Sequence, residues 1–392
     1  MPGRAVAARG IGRLTTAVGC LATVLAACGS TAGVASPATA RPASASRASS
    51  PAAKADAKHF DVLNGVSCAS PANCTAVGDY YRTGAGPQPT LIERWNGTAW
   101  RVEPSPSTGR FSTLDSVSCP SAASCTAVGS LILGWNGLAW TVELRSSPFD
   151  SVSCAAPSWC MAVGVTAGRT PESGYFDGTT WTVQPMPGPP HPAQDITLAG
   201  VSCAGPGFCM AVGDYSYGVA ARPSPTARDR TLAERWNGSS WQVTGTVDVA
   251  SWNQLSAVSC TSPRACTAVG SSGSGQFALA ERWDGSKWTI QHVPDVNPAG
   301  YTQLSTVSCS SPSACMALGT YDVAASAIAE SWNGAAWQLH SMPGPPRPQP
   351  SVRPAGLSCT GPAACVAVGT DGRTLAEIWA DGHWQITPTP SP

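Results

Sequence analysis

Charge is scarce in this chain. Asp, Glu, Lys and Arg make up 12% of 392 residues, 23 of each sign, so the formal net charge is zero. That balance leaves no basic patch of the kind that binds nucleic acid. Catalytic signatures are missing too. There is no H-E-x-x-H, no glycine-rich phosphate loop ahead of a helix and no nucleophile elbow. The five histidines (His59, His191, His292, His340 and His383) are scattered and follow no repeat, so neither a metal nor a cofactor is expected. Long helical periodicity is absent. One short N-terminal apolar stretch is too short to span a membrane, no further apolar run occurs, and no membrane span is expected.

What the chain does have is a repeat, V-S-C-x5-C-x-A-V-G followed by W-N-G-x-x-W, which recurs seven times. Its first cysteines are Cys68, Cys119, Cys154, Cys203, Cys260, Cys309 and Cys359; the second lie six positions on, at Cys74, Cys125, Cys160, Cys209, Cys266, Cys315 and Cys365. The tryptophan pairs run from Trp95 with Trp100 to Trp379 with Trp384, and the third copy degenerates to Phe176 with Trp181. A period near 50 residues built of short strands indicates a propeller or an array. In the first copy we read strands over 63–68, 74–78, 91–95 and 100–102, with Asn96-Gly97 as a hairpin turn. Four strands in each of seven copies predict an all-β fold, a seven-bladed β-propeller of four-stranded antiparallel blades.

Each cysteine pair flanks a five-residue hairpin, so one disulfide per blade is expected. A zinc site suits the spacing less well and lacks further ligands. Closing so short a loop stabilises by about 2 kcal/mol on the chain-entropy estimate. Cys74, Ala76 and Gly78 share a strand face, and such small residues let neighbouring sheets approach. A glutamate stands two before the tryptophan in five copies (Glu93, Glu234, Glu281, Glu330 and Glu377), which reads as a repeated structural contact rather than an acid–base array.

Residues 1–28 read as a secretion signal: Arg4, Arg9 and Arg13, then the apolar stretch from Leu14 to Leu25. Leu25-Ala26-Ala27-Cys28 resembles the bacterial lipobox, which implies lipidation at Cys28 and a lipid anchor as the only membrane attachment. Residues 29–59, rich in Ala, Ser and Pro, read as a flexible tether, and 60–392 as the propeller. Without Cys20 and Cys28, fourteen cysteines remain, an even count that suits an oxidising, extracytoplasmic location.

Loop lengths vary only in the links between strands two and three and between blades. Both kinds emerge on one face in a meandering blade, and function is expected there. The candidate ligand-binding residues on that face are Tyr80, Tyr81 and Arg82, then Tyr215, Tyr217 and Arg228, then Tyr321.

In order along each copy, Leu63, Val66, Ala76-Val77-Gly78 and Asn96-Gly97 with Trp100 resemble the Asp-box, or bacterial neuraminidase, repeat, and most of all the propellers similar to photosystem II assembly factors. The resemblance implies strand one near the axis and strand four outside. Asn usually replaces the box aspartate, and the cysteine pair is an addition. The combined expectation is a monomeric, membrane-tethered lipoprotein that binds a protein or cell-envelope polysaccharide without catalysis. The rival is an extracytoplasmic carbohydrate-active enzyme, a glycoside hydrolase or lyase.

Overall fold

The structure, a computed structural model, describes residues 59–390 except 83–85, 192, 218–227, 274–275, 297–299, 323–325 and 345–351. Cys28 and the tether up to residue 58 lie outside the described residues.

Seven four-stranded antiparallel sheets follow one another along the chain, each a simple meander. The first blade comprises His59–Ser70, Asn73–Arg82, Thr90–Trp95 and Trp100–Val102. Its first hairpin is longer than the sequence indicates, because pairing continues past Gly78 to Asp61 with Tyr80 and Phe60 with Tyr81. The motif marks only the part of the hairpin that the repeat conserves. Seven disulfides form, one within each first hairpin, and none of the described residues belongs to a helix long and apolar enough to cross a membrane. Disulfides in every blade suit an oxidising compartment outside the cytoplasm.

The tryptophan pairs lie between blades. Trp95 and Trp100, with ring centroids 5.6 Å apart, pack with Leu63 and Ala76 against Val366, Val368 and Ala376 of blade 7. Asn96 holds their hairpin: its Oδ1 accepts from the Thr98 and Ala99 amides at 3.0 and 2.9 Å, while Gly97 takes φ +93°.

The serine of V-S-C turns out to be the blade-to-blade fastener. Ser67 Oγ accepts from the Cys119 amide at 2.9 Å, and the same bond links Ser118 to Cys154, Ser153 to Cys203, Ser202 to Cys260, Ser259 to Cys309 and Ser308 to Cys359. Ser358 completes the circle by accepting from Cys68 at 3.0 Å. Every blade is built from consecutive chain, so the ring closes through this bond and the packing of blade 1 on blade 7 rather than through an exchanged strand.

The motif glycine has a different task from the one expected. A Cβ on Gly78 would collide with the Val62 carbonyl of its own blade, and Gly129, Gly164, Gly213, Gly270, Gly319 and Gly369 face their own first strands in the same way. It is Ala76 that faces the neighbouring blade. The glycine is needed because the first strand bulges beside it: the ladder skips Asn64 between Leu63 and Gly65.

The five repeated glutamates are at most 1% exposed. Glu234 accepts from the Gly188 amide at 3.2 Å and Glu281 from the Val247 amide at 3.3 Å, so each holds the link that enters its own blade. Burial pushes Glu234, Glu281 and Glu330 up to about 7 and Glu377 up to about 8; Glu93 also reaches about 8, through burial first and then the Asp61 carboxylate.

Candidate functional site in the axial channel

The bulge recurs in all seven first strands, always four residues before the first cysteine. The extra residues are Asn64, Asp115, Asp150, Ala199, Ser256, Ser305 and Ala355. All seven line one axial cavity of about 210 Å³. Bulges re-aim side chains out of the ladder, and here they aim one residue per blade at the axis. Blades 1 to 3 supply Asn, Asp and Asp. Blades 4 to 7 supply only Ala and Ser.

The acidic arc is electrostatically coupled. Burial pushes Asp115 up to about 6, and the Asp150 and Asp79 carboxylates add to the effect. Asp150 is raised by burial. Asp79, 6% exposed, is raised by burial against the opposing pull of hydrogen bonds from Gln88 and Asn64. Asn64 Nδ2 donates to the Leu114 carbonyl at 3.0 Å and to Asp79 Oδ1 at 3.5 Å, tying the arc to the blade 1 rim. No Lys or Arg lines the cavity. Among the described residues no cluster of His, Cys, Asp and Glu is placed to hold a metal ion. The arc is suited to accept hydrogen bonds and positive charge from a narrow group entering along the axis.

The tyrosine and arginine candidates do not form one surface. Tyr80 and Tyr81 belong to blade 1, Tyr215, Tyr217 and Arg228 to blade 4, and Tyr321 to blade 6. All stand in strands rather than loops. Tyr81 stacks on Phe60 at 5.0 Å and is 39% exposed. Tyr80 and Tyr321 are half-buried against core clusters. The Arg82 side chain lies outside the described residues. Tyr217 receives hydrogen bonds from Arg230 at 3.3 and 3.4 Å, and Arg230 pairs with Asp248 at 2.6 Å; Arg228 is exposed. Tyr215 is a correction. At 6% exposure it packs with Met186, Leu198 and Leu232 and presents no binding surface. The second strand of blade 4 runs on to Tyr217, and its alternation turns Tyr215 inward. Tyr215→Ala is expected to cost about 2 kcal/mol of stability, and Tyr81→Ala under about 0.5 kcal/mol; denaturant unfolding of the two variants is the check.

Sequence reading missed Asn64, Asp115 and Asp150. A signal was present: this position changes chemistry between copies while the residues around it keep theirs. Seeing that it faces an axis required the bulge.

A propeller with an acidic half-channel is thus the class of protein the fold defines. No protein-family model and no curated protein matches the sequence. Among solved structures, YCF48 from Cyanidioschyzon merolae is similar with a TM-score of 0.51 at 12% identity, over 83% of this chain and 96% of that one. YCF48 bound to D1 peptide gives 0.52 at 12%, over 83% and 95%. The GH74 xyloglucanase from Xanthomonas campestris gives 0.57 at 11%, over 86% of this chain and 55% of that one. At these identities the likeness is one of fold.

Proposed function

We propose that the protein is a secreted, lipid-anchored, monomeric binding propeller. It engages a protein or cell-envelope polysaccharide through its variable-loop face, without catalysis. The face takes a cationic or amide group of the partner into the acidic arc of the channel. One observation carries this reading. At a bulge the fold repeats seven times, three consecutive blades carry Asn64, Asp115 and Asp150 and the other four carry Ala or Ser. The fold tolerates Ala there, so it does not demand the carboxylates, and their like-charge repulsion is a cost that a bound cation would offset. A peptide presenting Lys or Arg is the partner form this chemistry suits, and the similar propeller YCF48 has been solved bound to a peptide. Cys28 and the tether would hold the ring clear of the membrane, in keeping with the disulfides. Asn96, Asp177 and Asp284 occupy the turn position of an Asp-box, which supports that kinship.

The convergence of two carboxylates, with Asp79 beside them, favours a second reading, a glycoside hydrolase using Asp115 and Asp150 as its carboxyl pair. The narrow channel argues against an extended polysaccharide chain there. One experiment separates the two. The Asp115→Asn, Asp150→Asn double variant should capture its partner from envelope extract at least about ten-fold more weakly, with an unchanged or raised melting temperature. Undiminished capture places the site elsewhere. Polysaccharide hydrolysis by wild type that the variant loses establishes the second reading.

A further inference from the structure

A cavity of about 400 Å³ opens between blades 6 and 7, at the hairpin end of the ring and away from the variable face. Two small side chains create it. At the position before the third-strand tryptophan, blades 1 and 5 carry an arginine that crosses to the next blade. Arg94 donates to the Ala122 carbonyl at 3.1 Å and lies 4.6 Å from the Trp135 ring; Arg282 donates to the Pro312 carbonyl at 2.8 Å and lies 5.1 Å from Trp332. Blade 6 has Ser331 there. Ahead of the second cysteine, blades 3 and 4 carry buried Trp159 and Phe208, and blade 6 has Ala314. Nothing large reaches blade 7, and the gap remains.

One further observation, a positioned hydroxyl, marks the lining. Ser331 Oγ is 2.7 Å from His340 Nε2, and the His340 ring stands edge-on to Trp379 at 4.8 Å.

The lining sets the ligand class. It holds the hydroxyls of Ser310, Ser311, Ser313 and Ser331, the amide of Asn333, and apolar surface from Met316, Pro362 and two disulfides, with no charged side chain. An ion would lose its water there without gaining a counter-charge. Hydroxyls that both donate and accept, set beside apolar surface, match a ring carrying hydroxyls on its rim and C–H groups on its faces. The size is that of a small-molecule site. We propose that this inter-blade cavity binds an uncharged saccharide, independently of the channel.

The test is saturation-transfer NMR on the intact chain, with glucose, galactose, mannose and N-acetylglucosamine as probes and glucuronate and phenol as contrasts. At least one neutral sugar is expected to saturate the protein below about 20 mM, and glucuronate is expected to bind more weakly. Ser331→Arg copies blade 5 and Ala314→Phe copies blade 4. Each should weaken sugar binding at least about ten-fold while melting no lower than wild type, and Asp115→Asn should leave it unchanged. Failure of every neutral sugar to saturate wild type overturns the proposal whatever the variants do. So does undiminished binding in both folded variants, or binding of phenol alone.

Discussion

Raising the pH from about 4.5 to about 8 is expected to lower the unfolding free energy of the propeller by more than about 3 kcal/mol. Five buried glutamates drive the change. Glu234, Glu281 and Glu330 hold their protons up to about 7, and Glu93 and Glu377 up to about 8, against an ordinary 4.5. Below the ordinary value both folded and unfolded chains are protonated, and the contribution to stability is fully present. As pH rises the unfolded chain releases protons that the folded chain keeps. Stability falls until the folded groups ionise as well, and then levels. One glutamate moved from 4.5 to about 7 corresponds to about 3 kcal/mol. Five full contributions would exceed the 5 to 15 kcal/mol or so of a typical domain. The Gly188 and Val247 amides already hold Glu234 and Glu281 below where burial alone would put them, and the five contributions do not add in full. The channel acids Asp115 and Asp150 and the neighbouring Asp79, also raised, push the same way. Asp177 and Asp284, lowered to about 2 chiefly by the hydroxyls of Thr179 and Ser286, act with the opposite sign only at more acid pH.

Glu330→Gln isolates one member. Both Glu330 carboxylate oxygens lack a hydrogen-bond partner among the described residues. The amide keeps the shape and cannot ionise, so the variant should gain about 1–3 kcal/mol over wild type at pH 8 and nothing at pH 4.5. Denaturant curves at the two pH values measure both. Equal wild-type stability at pH 4.5 and pH 8 would mean that the glutamates are ionised in the folded ring.

Gly270→Ala is expected to destabilise by at least about 3 kcal/mol, or to prevent folding. The methyl group would be driven into the Gln254 carbonyl, which belongs to the first strand of the same blade. Backbone in the middle of a paired hairpin cannot move aside without breaking ladder bonds on both strands, and here it also carries the bulge that places Ser256 at the axis. Gly245→Ala is the control, since an added Cβ there meets nothing within 4 Å. It should change stability by under about 1 kcal/mol. Parallel melting of the two purified variants decides the matter: a Gly270→Ala protein as stable as the control would show that the hairpin can shift, and the glycine would need another explanation.

The blade count, the strand order and the disulfide partners are all legible in the sequence. Each depends on residues close along the chain: six positions between cysteines, five between tryptophans, an Asn-Gly turn. Local spacing controls which residues can meet across a two-stranded hairpin. The glutamates could likewise be recognised as structural, because a residue repeated at one register position meets the same surroundings each time.

What depended on the ring could not be read that way. The serine of V-S-C repeats as faithfully as the cysteine beside it, yet its acceptor role joins Ser67 to Cys119 and Ser358 to Cys68, across blades and across the ends of the domain. Tyr215 has a loop-like composition around it and a buried side chain, because pairing with Ile196 extends the strand beyond the motif. The acidic arc is the clearest case. Asn64, Asp115 and Asp150 lie 51 and 35 residues apart along the chain, as their cysteines do. They share one channel only because a bulge turns each toward the axis and seven blades close around it. Sequence by itself determined the blade, since a hairpin is a local object. Tertiary structure decided the site, since an axis exists only once the ring is closed.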